Sequence, residues 1–213
     1  MKGADVELTG QAKTVHPAIA AVVLAAGESK RMGRPKMVLP WGNTTVIGQV
    51  VRMLHQAGVG DIVVVTGGAR REVEAALQGL PGRPVYNSHY MGEEMVFSLQ
   101  AGLSVLSEDI QASLVVLGDQ PQIEARVVQA VITAYQELQV PLVVPSFDMR
   151  RGHPWLVART LWPAILDLQP GGTLRDVLNA HAPLIHYLPV ETASVLRDID
   201  TPEEYQRECP PTG

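Results

Sequence analysis

The sequence predicts an α/β domain of three layers, with helices on both faces of a mostly parallel, partly mixed sheet. Three observations carry that prediction. Apolar and β-branched runs at Ile19 to Ala26, Ile62 to Thr66, Leu114 to Leu117 and Pro141 to Pro145 lack polar alternation, the pattern of strands buried on both faces. Segments with apolar residues at helical spacing separate these runs. The first three of these runs stop at Gly27, Gly67 and Gly118, so their C-terminal ends open into glycine turns.

Taken in order, the chain supports this alternation. After the loop that follows Ala26, Met37 to Trp41 should pack back on the body, and Thr44 or Thr45 caps a helix to about Gly58 with Val46, Val50, Met53, Leu54 and Ala57 inward. Ile62 to Thr66 is the second strand, Arg70 to Gly79 a helix turning Val73, Ala76 and Leu77 inward, and Pro84 to Tyr86 a short third strand. Gly92 to Leu106 reads as a loop feeding a helix, with Met95, Leu99, Gly102, Leu103 and Leu106 on one face. Leu114 to Leu117, a helix at Glu124 to Gln139, and Pro141 to Pro145 follow. Right-handed crossovers then set the loops after Ala26, Thr66 and Leu117 along one edge. Beyond Phe147 the alternation breaks. An apolar run follows Gly152-His153-Pro154, a short helix runs from Leu174 to about Ala180, and Leu184 to Val190 and Val195 to Ile199 read as two further strands. Thr201 and Pro202 begin a terminal helix as N-cap and first-turn residue.

Length and composition bound the function. With 213 residues the chain fits one large domain at 19–213 behind a loosely ordered leader at 1–18, which holds a short strand at Val6 to Leu8. Lys+Arg 17 against Asp+Glu 22 gives a net charge of −5, which argues against nucleic acid as a partner. The single cysteine, Cys209, provides neither a disulfide framework nor a cysteine-based metal site. The leader is neither a signal peptide nor a membrane span, so the expected location is cytoplasmic.

The chemistry concentrates at Val22 to Lys36, V-V-L-A-A-G-E-S-K-R-M-G-R-P-K. Glycines and alanines let backbone N–H groups approach an anion, while Lys30, Arg31, Arg34 and Lys36 supply charge for polyphosphate oxygens, so the expected ligand is a nucleoside triphosphate. A P-loop is excluded, because Gly27 and Gly33 are six apart and Arg34-Pro35 follows. The dinucleotide fingerprint is excluded too, since Pro35 and Pro40 oppose a helix directly after Gly33. Asp119, in the second turn G-D-Q-P, faces this loop as a natural Mg²⁺ ligand or else caps an Asx-type turn. His16, His55, His89, His153, His181 and His186 form no metalloprotease or triad-like spacing.

The pattern L-A-A-G-x-S-x-R-M-G-x-P-K, with G-D-Q-P, G-H-P and D-I-D-T-P in order after it, resembles the molybdenum cofactor nucleotidyltransferase family, which has a Rossmann-like fold. The likeness runs from about Ala20 to Tyr205. It implies that Leu24, Ala25, Ala26, Gly27, Ser29, Arg31 and Lys36, with Thr66 and Gly67 on the same edge, bind the nucleotide. Arg31 and Lys36 lie on the phosphates, and Glu28, Lys30 and Arg34 face solvent. It further implies catalytic roles for Lys36, Arg31 and Asp119, and Mg²⁺ held by Asp119 with Asp198 and Asp200, although Asp200 is equally suited to capping the last helix. Asn87, Ser98, Gln120, Gly152, His153 and Arg175 match stretches expected near the acceptor. His153 is open to a purely structural hydrogen bond, and Arg175 to a helix-surface role. Glu93-Glu94 interrupts the family's G-M-x-x-S spacing.

Ala25-Ala26-Gly27 and Gln120 are similar to the cytidylyl branch, where the guanylyl branch has Ala-Gly-Gly and usually Met. The resemblance therefore implies transfer of CMP from CTP to the phosphate of molybdopterin, releasing pyrophosphate. The rivals are a GTP donor, a sugar or polyol phosphate acceptor, and a non-catalytic cofactor carrier. A molybdoenzyme or its chaperone is then the implied protein partner.

Overall fold

The computed structural model describes residues 18–92 and 95–211. The expected leader and its strand at Val6 to Leu8 lie outside the described residues, apart from Ala18, which begins the first strand. The first half runs β1 (Ala18–Ala25), β2 (Pro40–Trp41), β3 (Thr44–Thr45), α1 (Val46–Gln56), β4 (Asp61–Thr66), α2 (Arg70–Ala76), β5 (Arg83–Tyr86) and α3 (Met95–Leu103). The second runs β6 (Ile110–Leu117), α4 (Ala125–Leu138), β7 (Leu142–Phe147), β8 (Arg150–Arg151), β9 (Trp155–Ala158), α5 (Trp162–Leu166), α6 (Leu174–Ala180), β10 (Ile185–Pro189) and α7 (Pro202–Glu208).

The main sheet has the order β10-β7-β9-β6-β1-β4-β5, with β8 paired to β7, while β2 and β3 form a separate hairpin. β1 is parallel to both β4 and β6, and β9 runs antiparallel to β6 and β7. Progress along the chain goes outward from β1 to β4 and β5 on one side and to β6 on the other. The loops after β1 and β6 therefore flank a point where the strand order reverses, the place where open α/β sheets leave a crevice.

The sheet is buried on both faces because β1 alternates its side chains between two cores. Ala21, Val23 and Ala25 pack toward Ile47, Leu54, Val73, Val128 and Val131 of α1, α2 and α4. Ala20, Val22 and Leu24 pack toward Leu99, Leu103, Ile165 and Val177 of α3, α5 and α6. Gly102 sets how closely α3 approaches, since a Cβ there would lie 2.3 Å from Val22 Cγ1. Thr45 caps α1 by accepting from the Gly48 amide at 3.1 Å, as the sequence predicts.

Two expectations are corrected, and one apolar run gains an assignment. Val195 to Ile199 is not a strand: residues Ala193–Leu196 form a 3-10 turn capped by Thr192, and the chain then bonds to loops. Its carbonyl at Val195 accepts from the His153 amide at 2.9 Å, and its amide at Ile199 donates to Asp119 O at 3.0 Å. Met95, expected inward, is exposed at the start of α3, because the buried stripe begins one residue later at Val96. The apolar run at Trp155 is a strand, inserted antiparallel between β6 and β7, and it supplies the mixed part of the sheet.

Candidate active site

The loop after β1 is shaped by local bonds before any ligand is considered. Ser29 sits in the left-handed region at φ 55°, and its Oγ accepts from the Lys36 amide at 3.1 Å, closing the loop on itself. Pro35 fixes the approach, and Met37 next to Lys36 is buried in the core, so the lysine is anchored from both sides. Gly118 N donates to Leu24 O at 3.0 Å and Gly68 N to Ala26 O at 3.2 Å, tying the turns after β6 and β4 to this loop. Gly67 is compelled by packing, as a Cβ there would stand 2.4 Å from Ala26 O.

A second segment, far along the chain, completes the site. Met32, Leu39, Trp41 and Val46 form a small core with Ile199, which is fully buried. Ile199 thereby holds Asp198 and Asp200 beside the loop. Glu204 Oε2 accepts from the amides of Asp200 and Thr201, each at 2.9 Å, and Thr201 caps α7 in a capping box. Asp200 thus stands next to the cap and keeps its carboxylate for the site.

The result is one cluster of charge. Lys36 Nζ donates to Asp119 Oδ2 at 2.5 Å and Asp200 Oδ1 at 2.8 Å, and Arg31 donates to Asp200 Oδ2 at 2.6 Å. Lys36 is only 9% exposed. Burial alone would pull its ammonium down, but Asp119 and Asp200 together outweigh that and hold it above the ordinary lysine value. Burial pushes the Asp200 carboxyl up, and Lys36 with Arg31 overcome this and hold it below the usual range. Asp198 goes the other way, held high by burial and by the charges of Asp119 and Asp200. Asp119, Asp198 and Asp200 outnumber Lys36 and Arg31, and oxygen-only donors of this kind suit a hard divalent cation. In the arrangement seen, Lys36 rather than a metal joins Asp119 to Asp200, and no group of three or more metal-ligating side chains among the described residues is drawn together tightly enough to hold an ion.

A cleft of about 370 Å³ opens over this cluster, lined by Gly27, Glu28, Ser29, Lys30, Arg31, Lys36, Tyr90 and Asp200. Glu28, Lys30 and Arg34 are exposed as expected, and the first two line the cleft. Leu24, Ala25 and Ala26 are buried beneath it. Thr66 is fully buried, with its hydroxyl donated to Val85 O at 3.3 Å, so that position offers only backbone to a ligand.

The expected acceptor residues are dispersed. Asn87 and Ser98 are buried and bond to each other at 3.1 Å, while Asn87 Oδ1 accepts from the His89 amide. Those bonds tie the loop after β5 to α3. Gln120 is buried next to Asp119, and its Oε1 is without a hydrogen-bond partner among the described residues. Gly152 is a packing position, since a Cβ there would meet Val195 at 2.6 Å. His153 donates from Nδ1 to Val115 O at 3.4 Å and stacks on Trp155 at 4.4 Å. Burial pushes its ring down to about 4, so the imidazole is neutral at neutral pH, with its proton on Nδ1 facing the carbonyl. Arg175 is exposed in the first turn of α6 and is not among the residues lining the cleft.

The sequence reading missed Tyr90 in the cleft wall, the Ile199 anchor and the Glu204 clamp. Only Ile199 leaves a signal, as a large apolar residue between two aspartates.

An open, mostly parallel sheet whose strand-order reversal carries a lysine, an arginine and three aspartates defines a nucleotide-handling α/β protein. The chain belongs to the family described as the MobA-like NTP transferase domain, which matches residues 21–184. It is similar to nicotine blue oxidoreductase of Paenarthrobacter nicotinovorans, 29% identical over 90% of this chain and 96% of that protein. It is also similar to the molybdenum cofactor cytidylyltransferase of Escherichia coli K12, 23% identical over 88% of this chain and 94% of that one. Among solved structures, Rv0371c from Mycobacterium tuberculosis H37Rv superimposes with a TM-score of 0.79 at 29% identity, covering 90% of this chain and 97% of that one. The complex of Rv0371c with manganese matches at a TM-score of 0.73 and 28% identity, over 89% of this chain and 97% of that one. No helix among the described residues is long and apolar enough to cross a membrane.

Proposed function

We propose that this protein transfers CMP from CTP to the phosphate of a molybdopterin-type acceptor and releases pyrophosphate. The observation that carries the proposal is the buried Lys36 ammonium shared between Asp119 and Asp200 at the floor of an open cleft. An ammonium held by two carboxylates is a charge relay point: when phosphates enter, the cation turns to them and the carboxylates become available to a divalent ion. Mg²⁺ held by Asp119 and Asp200, with Asp198 beside them, would neutralise charge on the triphosphate, and the manganese complex of Rv0371c supports a divalent ion in a relative. An oxygen of the acceptor phosphate attacks the α-phosphorus in line. The new P–O bond forms as the α–β bridge breaks, and pyrophosphate leaves with that electron pair. Lys36 stabilises charge on the α-phosphoryl oxygens and Arg31 holds the leaving β- and γ-phosphates. No protein base is required, because the acceptor phosphate is already ionised at neutral pH.

Ala26, which matches the Ala-Ala-Gly of the cytidylyl branch, favours CTP as donor in this reading. The rival reading is reduction, carried by the similarity to nicotine blue oxidoreductase. A lysine wedged among three aspartates favours phosphate chemistry, because hydride transfer needs no such cluster.

The test is pyrophosphate release from CTP, GTP, UTP and ATP with Mg²⁺ and either a molybdopterin-type acceptor or a sugar or polyol phosphate. CTP with the pterin acceptor is expected to react, and Asp119→Asn to lower kcat by at least about 100-fold while the protein stays folded. Absence of pyrophosphate with every pair, alongside tight pterin binding, would favour a carrier; reduction of nicotine blue would favour the oxidoreductase reading.

A further inference from the structure

The nucleotide cleft has two ends of different character, one carrying the Lys36 cluster and one carrying Tyr90 and Glu28, on opposite flanks of β1. Asp119 follows β6 on one flank, where Lys36, Asp200 and Arg31 gather. On the other flank, after β4, stand Gly67 and Gly68 with Tyr90 over them. A Cβ placed on Gly67 would meet Tyr90 Cβ at 2.7 Å and Ala26 Cβ at 2.8 Å, and one placed on Gly68 would meet Glu28 Cγ at 3.2 Å and Tyr90 Cε2 at 3.4 Å. Tyr90, Glu28 and Ala26 therefore converge on one spot beside Gly67 and Gly68.

That convergence is braced. Tyr86 lies 6.3 Å from Tyr90 at a 54° tilt, and the Arg70 guanidinium sits 4.6 Å over the Tyr86 ring, so Tyr90 is backed by a row of side chains. Tyr90 is the aromatic side chain in the cleft lining, and Glu28 is the carboxylate there that lies outside the Lys36 cluster. Glu28 makes a 3.2 Å ion pair with Lys30 through Oε2, and a carboxylate has lone pairs for more than one donor.

We propose that Tyr90 and Glu28 read the base, with the Tyr90 ring against its face and the Glu28 carboxylate accepting from an exocyclic amine. The cleft then selects an aminopyrimidine over its keto counterpart. Cytosine and uracil differ at C4, where one presents an amine donor and the other a carbonyl oxygen. A carboxylate bonds the first and repels the second, so one side chain supplies both the attraction and the rejection. This rests on the nucleotidyltransferase reading and adds the residues that choose between pyrimidines.

The experiment measures binding of CTP and UTP by titration calorimetry with Mn²⁺, together with pyrophosphate release, for the wild type, Glu28→Gln, Tyr90→Ala and Tyr90→Phe. Melting temperatures verify that each variant is folded. The wild type is expected to prefer CTP, and Glu28→Gln to shrink the CTP-over-UTP ratio by roughly tenfold, the worth of one partly solvated charge-assisted hydrogen bond. Tyr90→Ala should weaken CTP and UTP alike, with Tyr90→Phe recovering most of the loss. Equal use of CTP and UTP by the wild type, or an unchanged ratio in folded Glu28→Gln, overturns the proposal. Base-selective binding without pyrophosphate from any nucleoside triphosphate upholds it and sinks only the transfer reading. Absence of nucleotide binding overturns both.

Discussion

Replacing Lys36 by Met keeps the length and apolar stem of the side chain and removes its charge. Asp119 and Asp200, whose side chains are 17% and 21% exposed, then face each other and Asp198 with only Arg31 in compensation. Breaking a fully buried pair costs about 3–5 kcal/mol, and the partial access of water to these carboxylates reduces that to about 1–3 kcal/mol. In a domain of this size each kcal/mol is worth roughly 2–4 °C, so the melting temperature should fall by about 3–10 °C. The same substitution frees the carboxylates for a metal. Millimolar Mn²⁺ should therefore restore much of the loss in Lys36→Met while shifting the wild type far less in the absence of nucleotide. Ligand at about 100 times its Kd stabilises by roughly 2.7 kcal/mol, enough to see in a thermal melt. Scanning fluorimetry of both proteins with and without MnCl₂ provides the readout. The reasoning fails if the variant melts with the wild type, or if the metal stabilises both equally.

Other tests probe separate parts of the structure. His153 is pushed down to about 4 from an ordinary 6.5, so the folded state binds fewer protons than the unfolded chain between those values. Its contribution is complete above pH 6.5 and declines as pH falls toward 4, by about 3 kcal/mol in all, and the wild-type minus His153→Gln stability profile should show that slope. A ring titrating near 6.5 by NMR would contradict the burial argument. Ile199→Ala should destabilise by about 2–5 kcal/mol and also lower kcat, because the lost anchor lets Asp198 and Asp200 move; a stability loss with unchanged kcat would show that the aspartates do not depend on it. Ala26→Gly should relax discrimination against GTP by roughly 10- to 200-fold in a mixed CTP and GTP reaction without creating strong GTP preference, and an unchanged product ratio would place base choice elsewhere.

The loop that carries Ser29, Arg31 and Lys36 was legible because its information is local. Ala26 to Lys36 is one uninterrupted loop, and the strand before it is buried on both faces, so its apolar run is long and ends sharply. The strand expected at Val195 to Ile199 misled because Val195 and Ile199 are indeed buried, yet in different places: Val195 against Gly152, Ile199 in the loop core. Periodicity records burial and is blind to which neighbour does the burying. Trp155 to Ala158 is too short to show a period, and its pairing partners come from both sides of the sheet order. Asn87 and Ser98 bond to each other across 11 positions, and a polar residue matched to a motif does not disclose such a bond in the sequence.

The bond from Lys36 to Asp200 spans 164 residues, and the segment that carries Asp200 is held by the buried Ile199, by the Ile199 amide on Asp119 O and by the α7 cap. During synthesis the glycine loop emerges early and the sheet can assemble on it, but the lysine waits for its second carboxylate until Asp200 and α7 have left the ribosome. A chain that has reached only β10 thus holds the loop without one of the two carboxylates that fix Lys36, and the cluster closes in a single later step.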